Sequence, residues 1–177
     1  MNETRERAKE VLCMILAASE GELKKKVALY KAFYYAHLYY WKIGQGTLTD
    51  YPIVRMPQGP GIDEGNSLLE ELEAEGKIRI ERENYGPYTE YAFSLVEAYP
   101  VDRNSLRYRA IDSAVDFVRE KSAAELSQIT HDYSRSWQEA NNGDELNIYL
   151  DLLDEDEYSL ILKQSREAEE MIAHAFS

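Results

Sequence analysis

The segment from Leu29 to Trp41, LYKAFYYAHLYYW, constrains the fold most, because it holds seven aromatic residues and a single charge. On a helix that turns about 100° per residue, one face is aliphatic and aromatic, and the adjoining face carries Tyr30, Tyr34, His37 and Trp41. A helix that is apolar around most of its circumference must be covered on two sides. We therefore expect this segment to be the central helix of the domain.

The same projection leaves only a narrow strip for solvent. That strip carries Lys24, Lys31, Tyr35 and Lys42. Upstream, Ser19 and Glu22 have the spacing of a capping box, which predicts that the helix begins near Glu20 with two carboxylates at its positive end. Gly44 and Gly46 predict where it ends, with Gly44 in the left-handed position.

The composition is that of a globular protein. The chain has 177 residues, of which 44% are hydrophobic and 30% charged, and this fits one domain. Its one cysteine, Cys13, lies in the apolar run VLCMIL and is expected in the core, without a disulfide or a multi-cysteine zinc site. The charged N-terminus does not resemble a signal peptide, and the aromatic run is too short for a bilayer span of about 20 residues. We expect a cytoplasmic protein without a membrane contact.

The charge is strongly acidic. With 20 basic and 33 acidic residues, the formal net charge is −13. DNA affinity comes largely from cations that replace counterions on phosphate, so DNA binding would need a local basic patch. A basic protein is one alternative partner, attracted by electrostatic steering. Solubility alone is another explanation for the charge.

Residues 1–97 show the order of elements of a winged helix-turn-helix unit. The apolar periodicity predicts helices over 3–18, about 20–43 and 64–75, then a β-hairpin around a four-residue turn, Asn84 to Pro87. A second capping box, Ser67 to Glu70, lies within the third helix. Residues 47–61 should form a structured loop, because three prolines and two glycines exclude a helix there.

Residues 98–177 are expected to be helical. Helices are predicted over 105–120, from the capping box Ser122–Glu125 through Ile129, and over 155–175. The last helix should bury Ile161, Ala168 and Ile172. The whole chain, 1–177, is thus predicted to be one mainly α domain with a small antiparallel β-hairpin (α+β). A winged-helix-like unit and a helical part would together enclose the central aromatic helix.

A set of ordered motifs resembles the phage-associated Panacea (SocA-like antitoxin) family. The motifs are the aromatic helix from Leu29 to Ala36, the turn Leu48–Asp50, Gln58–Gly59–Pro60, the leucine helix Leu68–Gly76, the segment Ser122–Ser127, His131 and Trp137. The similarity covers about 24–153. The chain departs from the family at Gly61-Ile62, where Val-Pro is common, so a binding role of that loop does not carry over residue by residue.

The resemblance implies an antitoxin that neutralises a toxin by binding it. Some relatives act as adaptors that hand the toxin to a protease, so a protease is a second implied partner. The family motifs imply a structural role for Tyr30, Tyr34, His37, Trp41, His131 and Trp137. A fold does not fix a function, and this implication is inherited from the family alone.

Direct DNA reading by the winged unit is disfavoured by charge. The recognition-helix position, 63–76, carries six acidic residues and no Lys or Arg, so phosphate would repel it. In the hairpin, Lys77, Arg79 and Arg82 are offset by Glu81, Glu83 and Glu90. A transcriptional or phage-derived regulator of winged-helix type remains the alternative function.

Enzyme chemistry lacks a motif in this sequence, and we assign no catalytic, cofactor-binding or metal-binding residue. The sequence shows no His/Glu spacing of a metal-binding motif, and it contains neither a nucleophile elbow nor a phosphate loop. His37 is expected to be buried and hydrogen-bonded. His131 should hydrogen-bond across to the loop near Trp137. The acidic run Asp154–Glu157 is explained by its place at a helix N-terminus.

The fourteen tyrosines are the best physical indication of binding, because tyrosine has an apolar body and a polar tip that suit protein interfaces. The candidate partner-binding residues are Tyr35, Tyr39, Tyr51, Arg55, Gln58, Gly59, Pro60, Tyr85 and Tyr88. The alternative is that most of these tyrosines complete the core. We expect a non-enzymatic binding module whose partner is a toxin encoded by a neighbouring gene.

Overall fold

The computed structural model describes residues 3–44 and 46–176. The chain is mainly helical with a small amount of antiparallel sheet, which confirms the predicted α+β class. The first half contains α1 (Glu3–Ala18), β1 (Glu22–Lys24), α2 (Lys26–Lys42), β2 (Ile53–Met56), β3 (Gly59–Ile62), α3 (Gly65–Ala74), β4 (Ile78–Tyr85) and β5 (Tyr88–Leu95). The second half contains α4 (Leu106–Arg119), α5 (Ala123–Tyr133), α6 (Arg135–Glu139), a 3₁₀ helix (Ile148–Leu152) and α7 (Glu155–Ala175).

The predicted start of the aromatic helix was wrong. Residues 22–24 form strand β1, which pairs antiparallel with β5, and α2 begins only at Lys26. Leu23 points into the core between exposed Glu22 and Lys24, so the alternation of a strand overrides the local capping-box spacing. Ser19 instead donates its hydroxyl to the Ile15 carbonyl at 2.9 Å, at the end of α1.

Helix α2 is buried over most of its length and contacts α1, α4 and α5 as well as β1, β3 and β5. The predicted solvent strip was wrong at Lys31, whose side chain is buried on this helix. The predicted end is confirmed, since Ile43 is the C-cap and Gly44 follows with φ 83°. The Gly44 amide donates to the Trp41 carbonyl at 2.8 Å, as expected of a left-handed glycine after a helix.

The predicted loop over 47–61 contains a β-hairpin that the sequence did not indicate. Strands β2 and β3 pair from Ile53 opposite Ile62 to Met56 opposite Gly59. Every residue of β3 is buried. Its glycines permit this close packing, because a Cβ on Gly59 would overlap Thr130 Oγ1. Such close backbone approach explains glycine in a strand interior, which otherwise weakens a strand.

The predicted capping box at Ser67 does not form. Helix α3 begins at Gly65 after Glu64, which adopts a left-handed φ of 48° without a side-chain cap. Arg5 donates to the Ser67 hydroxyl at 2.7 Å instead. The Ser67 hydroxyl, which the local spacing predicts as a helix cap, therefore accepts a hydrogen bond from a residue of α1 instead.

The hairpin of β4 and β5 turns through two residues, Gly86 and Pro87, rather than the predicted four. Strand β5 is central, because β1 and β4 flank it in the order β1-β5-β4. In the register of β4 and β5, Ile78 lies opposite Leu95 and Ile80 opposite Phe93, so these side chains share one face of the sheet. This face closes one side of the core.

The helix caps of the second half agree with the sequence. Ser122 and Glu125 form the predicted capping box of α5, and Asp154 and Glu157 form another at the start of α7. The acidic run Asp154–Glu157 thus includes the N-cap and the first turn of α7, which is the structural role expected of it.

The predicted burial by α7 was wrong. Ile161 is only half-buried, and Ala168 and Ile172 are exposed, because no described element packs over that part of the helix. Within residues 3–44 and 46–176, none of the helices combines the length and the apolar character needed to cross a membrane.

Candidate functional site

The hairpin of β2 and β3 is fixed to α2 by a buried lysine. The Lys31 side chain is 2% exposed, and its Nζ donates to the Pro60 carbonyl at 3.0 Å. Gly59 passes directly over this amine, since a Cβ there would lie 2.5 Å from Nζ. Gly59 and Pro60, both predicted to bind a partner, are buried in this contact, whereas Gln58 between the strands is exposed.

A cavity of about 400 Å³ opens beside this contact. Its walls are the first turns of α2, the β2–β3 hairpin and Asn66 of α3. Val27, Met56 and the hairpin prolines make most of the lining apolar. The only charged residues among the described lining residues are Lys26 and Lys31, so the cavity is locally positive in an acidic protein.

Burial lowers the pKa of Lys31 to about 7, since a charged amine loses its hydration in the interior. Lys9 is a second buried lysine in a different environment. Its Nζ lies 2.8 Å from Glu6 and 2.5 Å from Glu75. Burial opposes its charge, but the hydrogen bonds to these carboxylates raise the pKa of Lys9 overall. Lys31 has no such carboxylate among its described contacts, and its bonded acceptor there is a backbone carbonyl.

An aromatic cluster supports the other side of the hairpin. Trp137 of α6 donates its indole N–H to the Met56 carbonyl at 2.8 Å. The His131 ring stacks on this indole with centroids 4.1 Å apart and planes at 14°. His131 Nε2 lies 3.0 Å from the Pro57 carbonyl, as the donor in that contact. His131 was expected to hydrogen-bond across to the loop near Trp137; its partner is the Pro57 carbonyl between β2 and β3, while its ring stacks on Trp137 itself.

Arg55 completes this cluster. Its guanidinium lies 3.9 Å from the Trp137 ring centroid, a cation–π distance. Nη1 also donates to the carbonyls of Trp137 at 2.6 Å and Ala140 at 2.7 Å. The structure thus brings Arg55, Gln58 and the Gly-Pro segment together with His131 and Trp137, which are distant from them in sequence.

The predicted partner-binding tyrosines lie outside this region, and none of them lines the cavity. Tyr35 is half-buried against Phe117, and Tyr39 is half-buried as well. Tyr51, a candidate partner-binding residue, is buried at 8% exposure and donates to the Asp63 carbonyl at 2.7 Å, as in the alternative in which these tyrosines complete the core. Tyr85 and Tyr88 are 48% and 66% exposed at the tip of the β4–β5 hairpin.

Three of the residues assigned a structural role, Tyr34, Trp41 and Tyr30, contact other elements of the fold. Tyr34 donates to the carboxylate of Asp151, which also accepts from the hydroxyls of Ser134 and Ser136 at 2.8 Å each. This carboxylate joins α2, α6 and the 3₁₀ helix, a role that the sequence did not reveal. The Trp41 ring packs against Tyr149 at 5.3 Å, and Tyr30 packs beneath Gly65, where a Cβ would overlap its hydroxyl.

His37 is buried at 1% exposure, with Nδ1 2.8 Å from the Phe33 carbonyl. Burial lowers its pKa to about 4, so the ring is neutral at physiological pH. Its Nε2 is buried near the Thr49 backbone but makes no hydrogen bond of good geometry. These contacts fit the structural role expected of this histidine.

Three carboxylates, those of Glu6, Glu71 and Glu75, lie close enough together to hold a metal ion. The Lys9 ammonium already lies 2.8, 3.4 and 2.5 Å from them, respectively. This cluster is therefore an internal ion-pair network. Sequence reasoning missed Lys31, and the one available signal was that it is the sole charge within the aromatic segment.

A family model described as "Antitoxin SocA-like, Panacea domain" matches residues 29–138. The match begins in α2, includes the β2–β3 hairpin, and ends just after Trp137. The comparisons with curated proteins and with solved structures found no match.

Proposed function

The chain belongs to the SocA-like antitoxin family with the Panacea domain, and from this membership we propose that it neutralises a toxin by binding it directly. The observation that carries the proposal is the family match over residues 29–138. That range contains the aromatic helix and the residues that hold the β2–β3 hairpin. We propose a non-enzymatic role, in which the bound antitoxin occludes the active surface of the toxin.

Two surfaces support a protein partner. In the turn of the β2–β3 hairpin, Gln58 is exposed near the aromatic cluster of Trp137, His131 and Arg55. At the tip of β4–β5, Tyr85 and Tyr88 are exposed with their ring centroids 6.3 Å apart, and exposed aromatics are common anchors in interfaces. We propose that the toxin contacts one of these surfaces.

The charge of the sheet favours a basic partner. Glu83 lies directly opposite Glu90 on the exposed face of the sheet, and like charges in that position are destabilising. A basic surface of a toxin would relieve this repulsion, and the net charge of −13 would speed its approach.

We further propose that residues 1–97 form a winged-helix-type unit that serves as a scaffold. The order α1, β1, α2, α3, β4, β5, with the β2–β3 hairpin inserted between α2 and α3, and the sheet order β1-β5-β4 support this arrangement. It also favours the second candidate function, a DNA-binding regulator.

Charge argues against that second function. The acidic side chains of α3 engage internal cations, with Arg5 at 2.5 Å from Glu71 and Arg82 at 3.2 Å from Glu73. Arg5 and Arg82 are therefore already paired within the protein, which leaves their charge less available to phosphate. An electrophoretic shift of the chain's own promoter DNA at low salt would support the regulator, and the lack of one would remove it.

Co-expression with the product of the adjacent gene tests the antitoxin proposal. We expect the neighbour to arrest growth when expressed alone, and this chain to restore growth and to co-purify with it. A harmless neighbour that does not co-purify would contradict the proposal. If the chain acts as a protease adaptor, the half-life of the toxin in cells should shorten when the chain is present; an unchanged half-life with restored growth would indicate occlusion alone.

A further inference from the structure

The wall of the cavity between α2 and the β2–β3 hairpin includes Lys31, whose ammonium the protein only partly satisfies. A lysine ammonium has three N–H donors. Among the described residues, Lys31 Nζ has one hydrogen-bond acceptor, the Pro60 carbonyl. No carboxylate lies among the described cavity residues. A buried cation without a counterion is energetically unfavourable, and a bound anion would stabilise it.

The cavity also has the size and lining of a small-molecule site. Its volume of about 400 Å³ lies within the range of roughly 300–1,000 Å³ that is common for ligand pockets. Val27, Met56 and Pro57 supply apolar contact area on the wall. Gln58 and Asn66 add side-chain amides, so a few polar groups surround an apolar space, as in typical ligand sites.

We propose that this cavity binds a compact organic monocarboxylate, whose carboxylate pairs with Lys31 and whose apolar body lies against Val27 and Met56. The proposal goes beyond the antitoxin function and does not depend on it. We assign the ligand as a free small acid rather than an acidic side chain of a protein, because the cavity is bounded by α2, α3 and the hairpin and has small-molecule dimensions.

The cations explain the choice of a carboxylate over a phosphate. The cavity presents lysines, which bind anions as point charges, and a phosphate carries nearly two negative charges at neutral pH, which one buried ammonium does not balance. Arg55 is nearby, but its guanidinium bonds the carbonyls of Trp137 and Ala140. Lys26 is engaged with Asn66 at 2.7 Å and lies over the Tyr91 ring. A single buried ammonium in apolar surroundings matches one negative charge on an apolar body.

Binding should be coupled to protonation of Lys31. The pKa of this amine is about 7 without a ligand, and a paired carboxylate favours the charged form. The other titratable groups on the cavity wall are Lys26 and Tyr30, and His131 of α5 lies behind the hairpin at the Pro57 carbonyl. Affinity is therefore expected to fall about tenfold per pH unit above about pH 7, where Lys31 is neutral in the free protein.

Titration of the full chain with sodium hexanoate, followed by the amide NMR shifts of Gly59 and Gly61, tests the proposal. We expect saturable shifts, weaker binding of 1-hexanol, and an affinity for hexanoate that falls above about pH 7. The Lys31→Met variant should lose at least tenfold in affinity. The matched control Lys42→Met, on the same helix but away from the cavity, should bind like the wild type.

Three results would overturn the proposal: no saturable shift of Gly59 or Gly61, equal binding of 1-hexanol, or an unchanged affinity in Lys31→Met. Equal binding of inorganic phosphate would contradict the carboxylate class. If a blocked tripeptide, acetyl-Leu-Glu-Leu-amide, bound while hexanoate did not, a protein side chain would replace the free acid as occupant. If Lys31→Met does not fold, the variant Val27→Phe replaces it in the test, because the larger side chain narrows the cavity from a half-buried position. We expect Val27→Phe to block hexanoate binding. Unchanged hexanoate binding by this variant would overturn the proposal.

Discussion

Replacement of Lys31 by methionine is expected to change how the stability of the protein depends on pH. Burial lowers the pKa of Lys31 from 10.5 to about 7 in the folded chain. Between these values the unfolded state binds a proton that the folded state does not. Stability therefore rises with pH over this window, by about 1.4 kcal/mol per pH unit and about 5 kcal/mol in total.

The same shift gives the sign and size of the effect of Lys31→Met. At and below about pH 7, burial of the charged amine lowers the free energy of unfolding of the wild type by most of this amount, and replacement by methionine removes that loss. The variant loses the hydrogen bond to the Pro60 carbonyl, which contributes about 1 kcal/mol. Lys31→Met should thus be more stable than the wild type by about 3 kcal/mol near pH 7, and slightly less stable near pH 10.

Urea unfolding monitored by tryptophan fluorescence, at several values from about pH 7 to about pH 10, measures this difference. Subtraction of the variant from the wild type cancels the other titrating groups. Lys42→Met, the same substitution on the same helix, should leave the pH dependence of the wild type intact. A difference between Lys31→Met and the wild type that does not vary with pH would refute the reasoning.

Three further predictions concern the hairpins. Gly59→Ala should destabilise the protein by about 3 kcal/mol or more in urea unfolding, since φ is 113° and the added Cβ overlaps a side chain of α5. The control Gly61→Ala meets only a flexible methionine side chain and should cost about 1 kcal/mol. Equal losses of stability in the two variants would contradict the packing of Gly59. Trp137→Ala should cost about 2–4 kcal/mol, from the lost indole hydrogen bond and stacking, and a change below about 0.5 kcal/mol in thermal or urea unfolding would disprove a supporting role. Joint replacement of Tyr85 and Tyr88 by serine should leave stability within about 0.5 kcal/mol and weaken toxin binding by roughly tenfold in calorimetry if the tip is an anchor; unchanged affinity would exclude the tip as the contact surface.

Elements with local signals could be predicted from the sequence. The apolar periodicity predicted a helix over residues 3–18, which are the bounds of α1, and the Ser122–Glu125 capping box forms as expected. The capping boxes at Ser19 and Ser67 fail for tertiary reasons. Leu23 pairs into the sheet opposite Phe93, and Arg5 takes the Ser67 hydroxyl. Spacing alone does not report such long-range competition.

The site shows the same limit more sharply. Lys31 was placed on a solvent strip, because periodicity describes one helix and not what covers it. Its burial depends on the β2–β3 hairpin, and the glycines and prolines of that hairpin predict a loop rather than a pair of strands. The exposed apolar residues of α7 are the converse case, since an amphipathic pattern predicted burial without a partner element. His131 and Trp137 were identified through the family resemblance, and their contact with the hairpin then gave them a physical role.

The most direct test of the antitoxin account is isothermal calorimetry of the purified chain with the purified product of the adjacent gene, at low and at high salt. The account predicts a stoichiometric complex that abolishes the activity of the toxin in a matched assay. It also predicts an affinity that weakens as salt rises, because an acidic protein would meet a basic surface. Restored growth in cells without any measurable complex between the two purified proteins would contradict direct neutralisation.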